Sequence, residues 1–177
     1  MHTKIWLIYF LIIFSCYPKP KLEIIKDEFD DSVSYLLDNN ILQSLNNTHE
    51  IELNIKRKIG QNDSILYLIV LECIGASEIG MNDSTYVMFD IDNIKHRFKP
   101  FLAENKIKID PELTYEVINI VSDFKFIKRV AYSNKVTIKI NGSRNIIFTK
   151  LSLKNKINLQ NFIETFIPLK EQIQSNY

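Results

Sequence analysis

The spacing of apolar residues changes along this chain, and each spacing predicts a different element. An unbroken apolar run of 10 residues, 5–14, follows Lys4. From about 23 to 37, Ile25, Phe29, Val33, Leu36 and Leu37 fall at helical spacing, with Lys26, Asp27, Glu28, Asp30 and Asp31 mostly on other faces. This predicts an N-terminal helix. Asp38-Asn39-Asn40 reads as its stop and 41–45 as one further turn. The period then drops to two. Ile51, Leu53 and Ile55 alternate with Glu52, Asn54 and Lys56, the mark of a half-buried strand. Gly60-Gln61-Asn62-Asp63 supplies a turn, and 65–71 is a nearly continuous apolar run, as a central strand requires.

After a polar loop at 75–84, Tyr86, Met88 and Asp90 alternate with Val87, Phe89 and Ile91 in a third strand. Asp92-Asn93 turns into a fourth, with Ile94, His96 and Phe98 on one face. Residues 100–111, bounded by Pro100 and Pro111, read as a longer connection. Leu113, Tyr115 and Val117 then alternate with Thr114, Glu116 and Ile118. Ser122 with Asp123 reads as the N-cap of a short helix near 123–132, whose buried face is Phe124, Ile127, Val130 and Ala131. Segments 135–140 and 145–151 form a hairpin joined through Asn141-Gly142, a strong turn dipeptide. A C-terminal helix over 154–166 carries Leu159, Phe162, Ile163 and Phe166 on one face, and Pro168 breaks it.

Hairpin connections dominate and no strand is followed by a long crossover helix. The expected class is therefore α+β: a predominantly antiparallel sheet built from hairpins, with the N-terminal, 123–132 and C-terminal helices packed on it. No composition shift marks a domain boundary, so 22–177 reads as one domain. Asn62-Asp63-Ser64 and Asn82-Asp83-Ser84 share a tripeptide favourable to turns and do not signal a repeat.

The leading apolar run is too short to cross a bilayer, which needs about 20 residues, and falls within the signal-peptide range of roughly 7–15. Ser15 and Cys16 follow it, then Tyr17-Pro18-Lys19-Pro20-Lys21. With Ile13 three positions before the cysteine, this layout resembles the lipobox of bacterial lipoproteins, in a relaxed form with Phe14 where a small or aliphatic residue is usual. The resemblance implies a signal peptide over 1–15, acylation of Cys16, and a tether over 16–21 that joins the domain to the membrane. Two or three acyl chains anchor stably where one does not. It also implies a bacterial cell-envelope location, with the outer membrane favoured and the domain facing the periplasm or the surface. The alternative is an ordinary signal peptide, cleaved or retained, with an incidental cysteine. Residues 85–166 resemble small uncharacterised bacterial α+β domains, on the pattern of a hairpin, the Tyr115 strand, a helix ending Val130-Ala131, the Asn141-Gly142 hairpin and a closing helix. That second resemblance brings no active site.

Cleavage before Cys16 leaves 162 residues with 21 basic and 21 acidic side chains, enough chain for one cored domain. Lysine outnumbers arginine 18 to 4 and no basic stripe is present, which argues against nucleic acid as a partner. Ile, Asn and Lys make up 64 of the 177 residues, which reads as codon bias and biases the apolar surface towards strands. Of the two cysteines, Cys73 lies at the end of an apolar run without a basic neighbour and reads as an inert core residue.

Candidate chemistry is sparse. Asp90-Ile91-Asp92-Asn93 could offer oxygen ligands to a divalent cation, but it lacks the glycine and distal glutamate of an EF-type loop and reads as a strand end and turn. Neither His49 nor His96 lies within metal-ligand spacing of another His or Cys, and both read as surface or edge positions. No nucleophile elbow, phosphate loop or zinc-protease motif appears. Tyr115, Phe124, Phe126 and Tyr132 could line a groove, although core packing is the plainer reading. The Asn-x-Ser/Thr triplets at Asn46, Asn62, Asn82 and Asn141 follow from asparagine abundance. No catalytic, cofactor or metal residues are therefore assigned, and Cys16 is the one modification site. The expected function is a non-enzymatic binding or assembly module of the envelope with a protein partner. The alternatives are an envelope hydrolase or transferase drawing on Asp90, Asp92 and His96, and a small-ligand carrier with an apolar cavity.

Overall fold

The computed structural model describes residues 19–29, 31–45, 49–82, 84–110 and 113–174. The strands are β1 (Lys21–Asp27), β2 (Ser32–Asp38), β3 (Gln43–Ser44), β4 (His49–Ile59), β5 (Ile65–Gly75), β6 (Tyr86–Ile91), β7 (Ile94–Phe98), β8 (Leu102–Asp110), β9 (Leu113–Ser122), β10 (Val136–Asn141) and β11 (Ile146–Lys150). The helices are α1 (Phe124–Tyr132), α2 (Leu153–Phe166) and α3 (Leu169–Gln174). The strands form two antiparallel sheets, ordered β1-β2-β4-β5-β9-β8 and β3-β11-β10-β6-β7. The α+β class holds, but the sheet is double.

The N-terminal helix does not exist: the segment expected to form it is the β1–β2 hairpin, paired from Lys21↔Asp38 to Asp27↔Ser32. Two local interactions defeat the helical spacing. The Asp27 carboxylate accepts from the Phe29 N–H at 3.0 Å, and Asp31 adopts φ 51°, which a helix cannot contain. Beyond the turn, Ser32-Val33-Ser34-Tyr35 suits a strand better than a helix, because β-branched and aromatic residues pack on a pleated surface and serine competes for backbone hydrogen bonds. The extra helical turn at 41–45 is also absent; Ile41 bridges Glu52 and Gln43–Ser44 is β3. The long connection at 100–111 likewise contains a strand, β8, paired with β9.

One core lies between the inner faces of the two sheets. Ile51, Leu53, Ile55, Ile69, Leu71, Cys73, Ile118 and Ile120 come from the first sheet, and Val87, Phe89, Val136, Ile138, Ile140 and Ile147 from the second. The two longer helices close it with Phe124, Ile127, Val130, Leu159, Phe162 and Ile163. All four residues predicted for the buried face of α1 are buried, and Phe126 is buried with them; Asp123 caps the helix by accepting from the Phe126 N–H at 2.6 Å. Ser152 and Asn155 form a capping box on α2. Pro168 ends α2's run and α3 follows it; Glu171 of α3 pairs with the buried Arg57 guanidinium at 2.8 Å.

Loops between the sheets are pinned by polar contacts. The buried Glu116 carboxylate accepts from the Ile79 and Gly80 N–H groups at 2.5 and 3.0 Å. The Ile79 carbonyl in turn accepts from the Arg144 and Asn145 N–H groups of the β10–β11 turn. His49, expected at a surface or edge, is buried; its Nε2 lies 2.6 Å from the Ser77 carbonyl. Gly75, its cross-strand partner, makes room for it: a Cβ there would sit 2.3 Å from the imidazole.

Candidate functional site

The β2 strand does not run straight into its neighbour. Leu37 pairs with Ile55, and Ile41 bridges Glu52, so four residues on one side span three on the other. The extra residue is a bulge at Asn39, whose φ is 57°. Asn40 is fully buried there; its N–H meets the Asn54 side-chain oxygen at 3.3 Å, and its own side-chain oxygen accepts from Asn155 and Asn158 of α2 at 2.8 and 3.0 Å. The bulge therefore ties the first sheet to the capped end of α2.

It also aims Asp38 at Asn54 on the outer face of that sheet. The Asn54 amide, itself 1% exposed, donates to Asp38 at 3.1 Å, to Glu52 at 3.3 Å and to Glu72 at 3.1 Å. Glu52 and Glu72 are direct cross-strand partners. One oxygen from each of the three carboxylates lies within 4.8 Å of the others. Tyr115, from the next strand over, donates its hydroxyl to Glu72. Burial, and then the charges of Glu72, Asp38 and Glu50, push the Glu52 carboxyl above its ordinary value, against the lowering effect of the Asn54 bond. Burial and the Glu72 bond raise the Tyr115 hydroxyl likewise. The result is a concentration of negative charge whose inward lone pairs are held by one amide and one phenol.

The neighbouring sheet edge is of a different kind. β1 is the last strand of its sheet, and among the described residues nothing pairs with its outer side. Leu22, Ile24 and Ile25 are 40, 57 and 47% exposed, and Phe29 at the turn is fully so. Leu22 and Ile24 lie opposite Leu37 and Tyr35 on the core side, while Ile25 lies opposite Ser34 on the outer side. An edge with free backbone groups and apolar side chains on both faces is a ready surface for another strand.

Other residues singled out from sequence do not converge. Cys16 lies outside the described residues. Asp90 faces away from the core, opposite Lys95, whereas His96 pairs with Phe89 and shares its inward face. Asp92 accepts from the Asn134 and Lys135 N–H groups at 3.2 and 2.8 Å and so fixes a turn. The triad proposed for a hydrolase is thus split between two faces of one sheet. His96 does line a cleft of about 460 Å³ with Phe98, Phe126 and Arg129, and the Arg129 guanidinium donates to its Nε2 at 3.2 Å. Tyr115, Phe124, Phe126 and Tyr132 share no groove: Phe124 and Phe126 are core, Tyr115 belongs to the acidic cluster, and Tyr132 is half exposed. Cys73 is buried in the core, and burial raises its thiol pKa well above the ordinary value.

Asp38, Glu52 and Glu72 escaped the sequence reading as a group. Glu52 was legible as an outward strand position, but only the register that sets it opposite Glu72, and the bulge that turns Asp38 towards both, unites them. No family model, curated protein or solved structure matches the chain.

Proposed function

We propose that this chain is a lipid-anchored module of a bacterial cell envelope, acylated at Cys16, whose work is binding or assembly rather than chemistry. The leader and the cysteine support the anchor. The observation that supports the binding role is the apolar, unpaired β1 edge, because it begins where the tether ends. Four residues separate Cys16 from Lys21, the first residue of β1, so five backbone steps join them. At roughly 3.3–3.6 Å per extended residue, the edge starts within about 18 Å of the lipid. Pro18 and Pro20 stiffen that span, so the edge is presented close to the membrane plane, where a tethered partner would meet it.

The anchor is tested by intact-mass measurement of the mature N-terminus, with detergent partitioning. Acyl mass on a chain starting at Cys16 and recovery in the detergent phase are expected, and Cys16→Ala should abolish both. A wild-type protein of unmodified mass that stays in the aqueous phase would remove the anchor from this reading.

A further inference from the structure

We infer that β1 is a homodimer interface: two copies of this chain join edge to edge by antiparallel pairing of β1 with β1, with Ile24 on the two-fold axis. The inference deepens the assembly reading above and rests on it, but not on acylation of Cys16.

Four strands end the two sheets, β1, β8, β3 and β7, and three of them are unsuited to self-pairing. β3 is 2 residues long. The ladder of β8 shifts register between Lys106 and Asp110, an interruption that leaves its edge discontinuous. β7 carries Lys95, His96 and Arg97 in sequence. A two-fold axis perpendicular to the sheet places some residue of the strand opposite its own copy. Centred on His96, β7 would set Lys95 against Arg97 twice; centred on Lys95 or Arg97, it would set that cation against itself. Like charges directly opposite destabilise a pair of strands, so β7 is guarded in each of these registers.

β1 is not guarded. Its sequence is Lys21-Leu22-Glu23-Ile24-Ile25-Lys26-Asp27, and its pairing with β2 is continuous over all 7 residues. A two-fold centred on Glu23 would oppose two glutamates, and one centred on Ile25 would oppose Glu23 and Asp27 twice. Centring on Ile24 uses the whole strand and sets no like charges directly opposite one another. It sets Lys21 against Asp27 at both ends, Leu22 against Lys26, Glu23 against Ile25, and Ile24 against itself. It also keeps faces matched, since residues opposed across the axis lie on the same side of the sheet. The two 6-stranded sheets would thus become one continuous sheet with both cores on the same side. Pairing of this kind satisfies the open backbone edge and covers the exposed Leu22, Ile24 and Ile25 side chains.

The test is disulfide trapping with the full chain in detergent, read on non-reducing gels against the wild type. Residues opposed on a two-fold axis have Cα atoms about 4.5–5.5 Å apart, within disulfide reach. Ile24→Cys should therefore cross-link to itself, while Ile25→Cys, offset from its own copy, should not. Asp27→Lys, which sets lysine against Lys21 twice, should weaken dimerisation roughly tenfold or more by sedimentation. The charge swap Lys21→Asp with Asp27→Lys should restore it. Adding Cys16→Ala should leave the Ile24→Cys cross-link intact, so loss of the anchor and loss of the dimer are read separately. A folded protein that stays monomeric at about 1 mM overturns the inference. So does a dimer that Ile24→Cys fails to trap, or an Ile24→Cys adduct to a different protein.

Discussion

Asn54 shows how one side chain can hold a charge cluster together at a cost. Its amide reaches three carboxylates at once, yet burial and mutual repulsion still raise the Glu52 pKa from the ordinary 4.5. A carboxyl whose folded-state pKa is raised binds its proton more readily in the folded chain. Its protonated form therefore favours folding, and that stability is present below the ordinary value and lost as pH rises through the folded pKa. At neutral pH the charged Glu52 works against the fold. Glu52→Gln keeps an oxygen for the Asn54 amide and removes the charge, so the variant should unfold at higher urea than the wild type at neutral pH. The gap should narrow as pH falls towards 4.5, where the wild-type carboxyl takes up its own proton. Urea midpoints measured across that window check both parts. An unchanged midpoint at neutral pH would mean that solvent screens the cluster fully.

At the scale of elements, the sequence was most readable where one period ran without interruption. The alternations of β4, β6 and β7, the Asp123-capped α1 and the apolar stripe of α2 all depend on neighbours within a few residues, and all appear where their spacing places them. The region before residue 45 failed for the opposite reason. Its apolar residues fall at helical spacing, but the outcome is decided by Asp27, Asp31 and the Asn39 bulge, the last of which depends on pairing with distant β4. The Asn141-Gly142 hairpin was legible as a turn, but not for the reason that its glycine is needed there. Gly142 does not supply a left-handed turn residue; it lets the Ile79 backbone pass, since a Cβ would lie 2.1 Å from the Ile79 carbonyl oxygen. That carbonyl is the acceptor that ties the β5–β6 loop to the turn. Gly142→Ala should therefore push two backbones apart and cost about 1–3 kcal/mol, the range for overpacked sites. Urea denaturation measures this directly. A cost near zero would show that the loop moves freely and that the contact does not hold the sheets in place.

For the whole molecule, the two sheets share one interior and, among the described residues, no ladder joins them, which decides how the protein comes apart. Phe89 of the second sheet is fully buried and packs edge-on against Phe98 and Phe126, with ring centroids 5.8 and 5.3 Å away. Phe126 stands on α1, which also places Phe124 against Tyr67 of the first sheet at 6.0 Å. An aromatic chain thus runs from one sheet through a helix to the other. Truncating Phe89, where that chain enters the second sheet, removes its ring contacts with β7 and α1 at once, and Phe89→Ala should cost about 3–5 kcal/mol. If the interior is a single cooperative unit, that loss must appear in full at residues that never touch Phe89. Amides of β4 and β5, deep in the first sheet and paired over 11 residues each, should lose protection against hydrogen exchange by the same free energy as amides of β6 and β10. Retained protection in β4 and β5 alongside rapid exchange in the second sheet would instead divide the molecule into two units that merely touch. The edge hairpin should behave differently under either outcome. Among the described residues β1 is paired on one side only, so in the monomer its amides should exchange faster than those of the central strands β4 and β5, and dilution should speed them further if the edge is shared between copies.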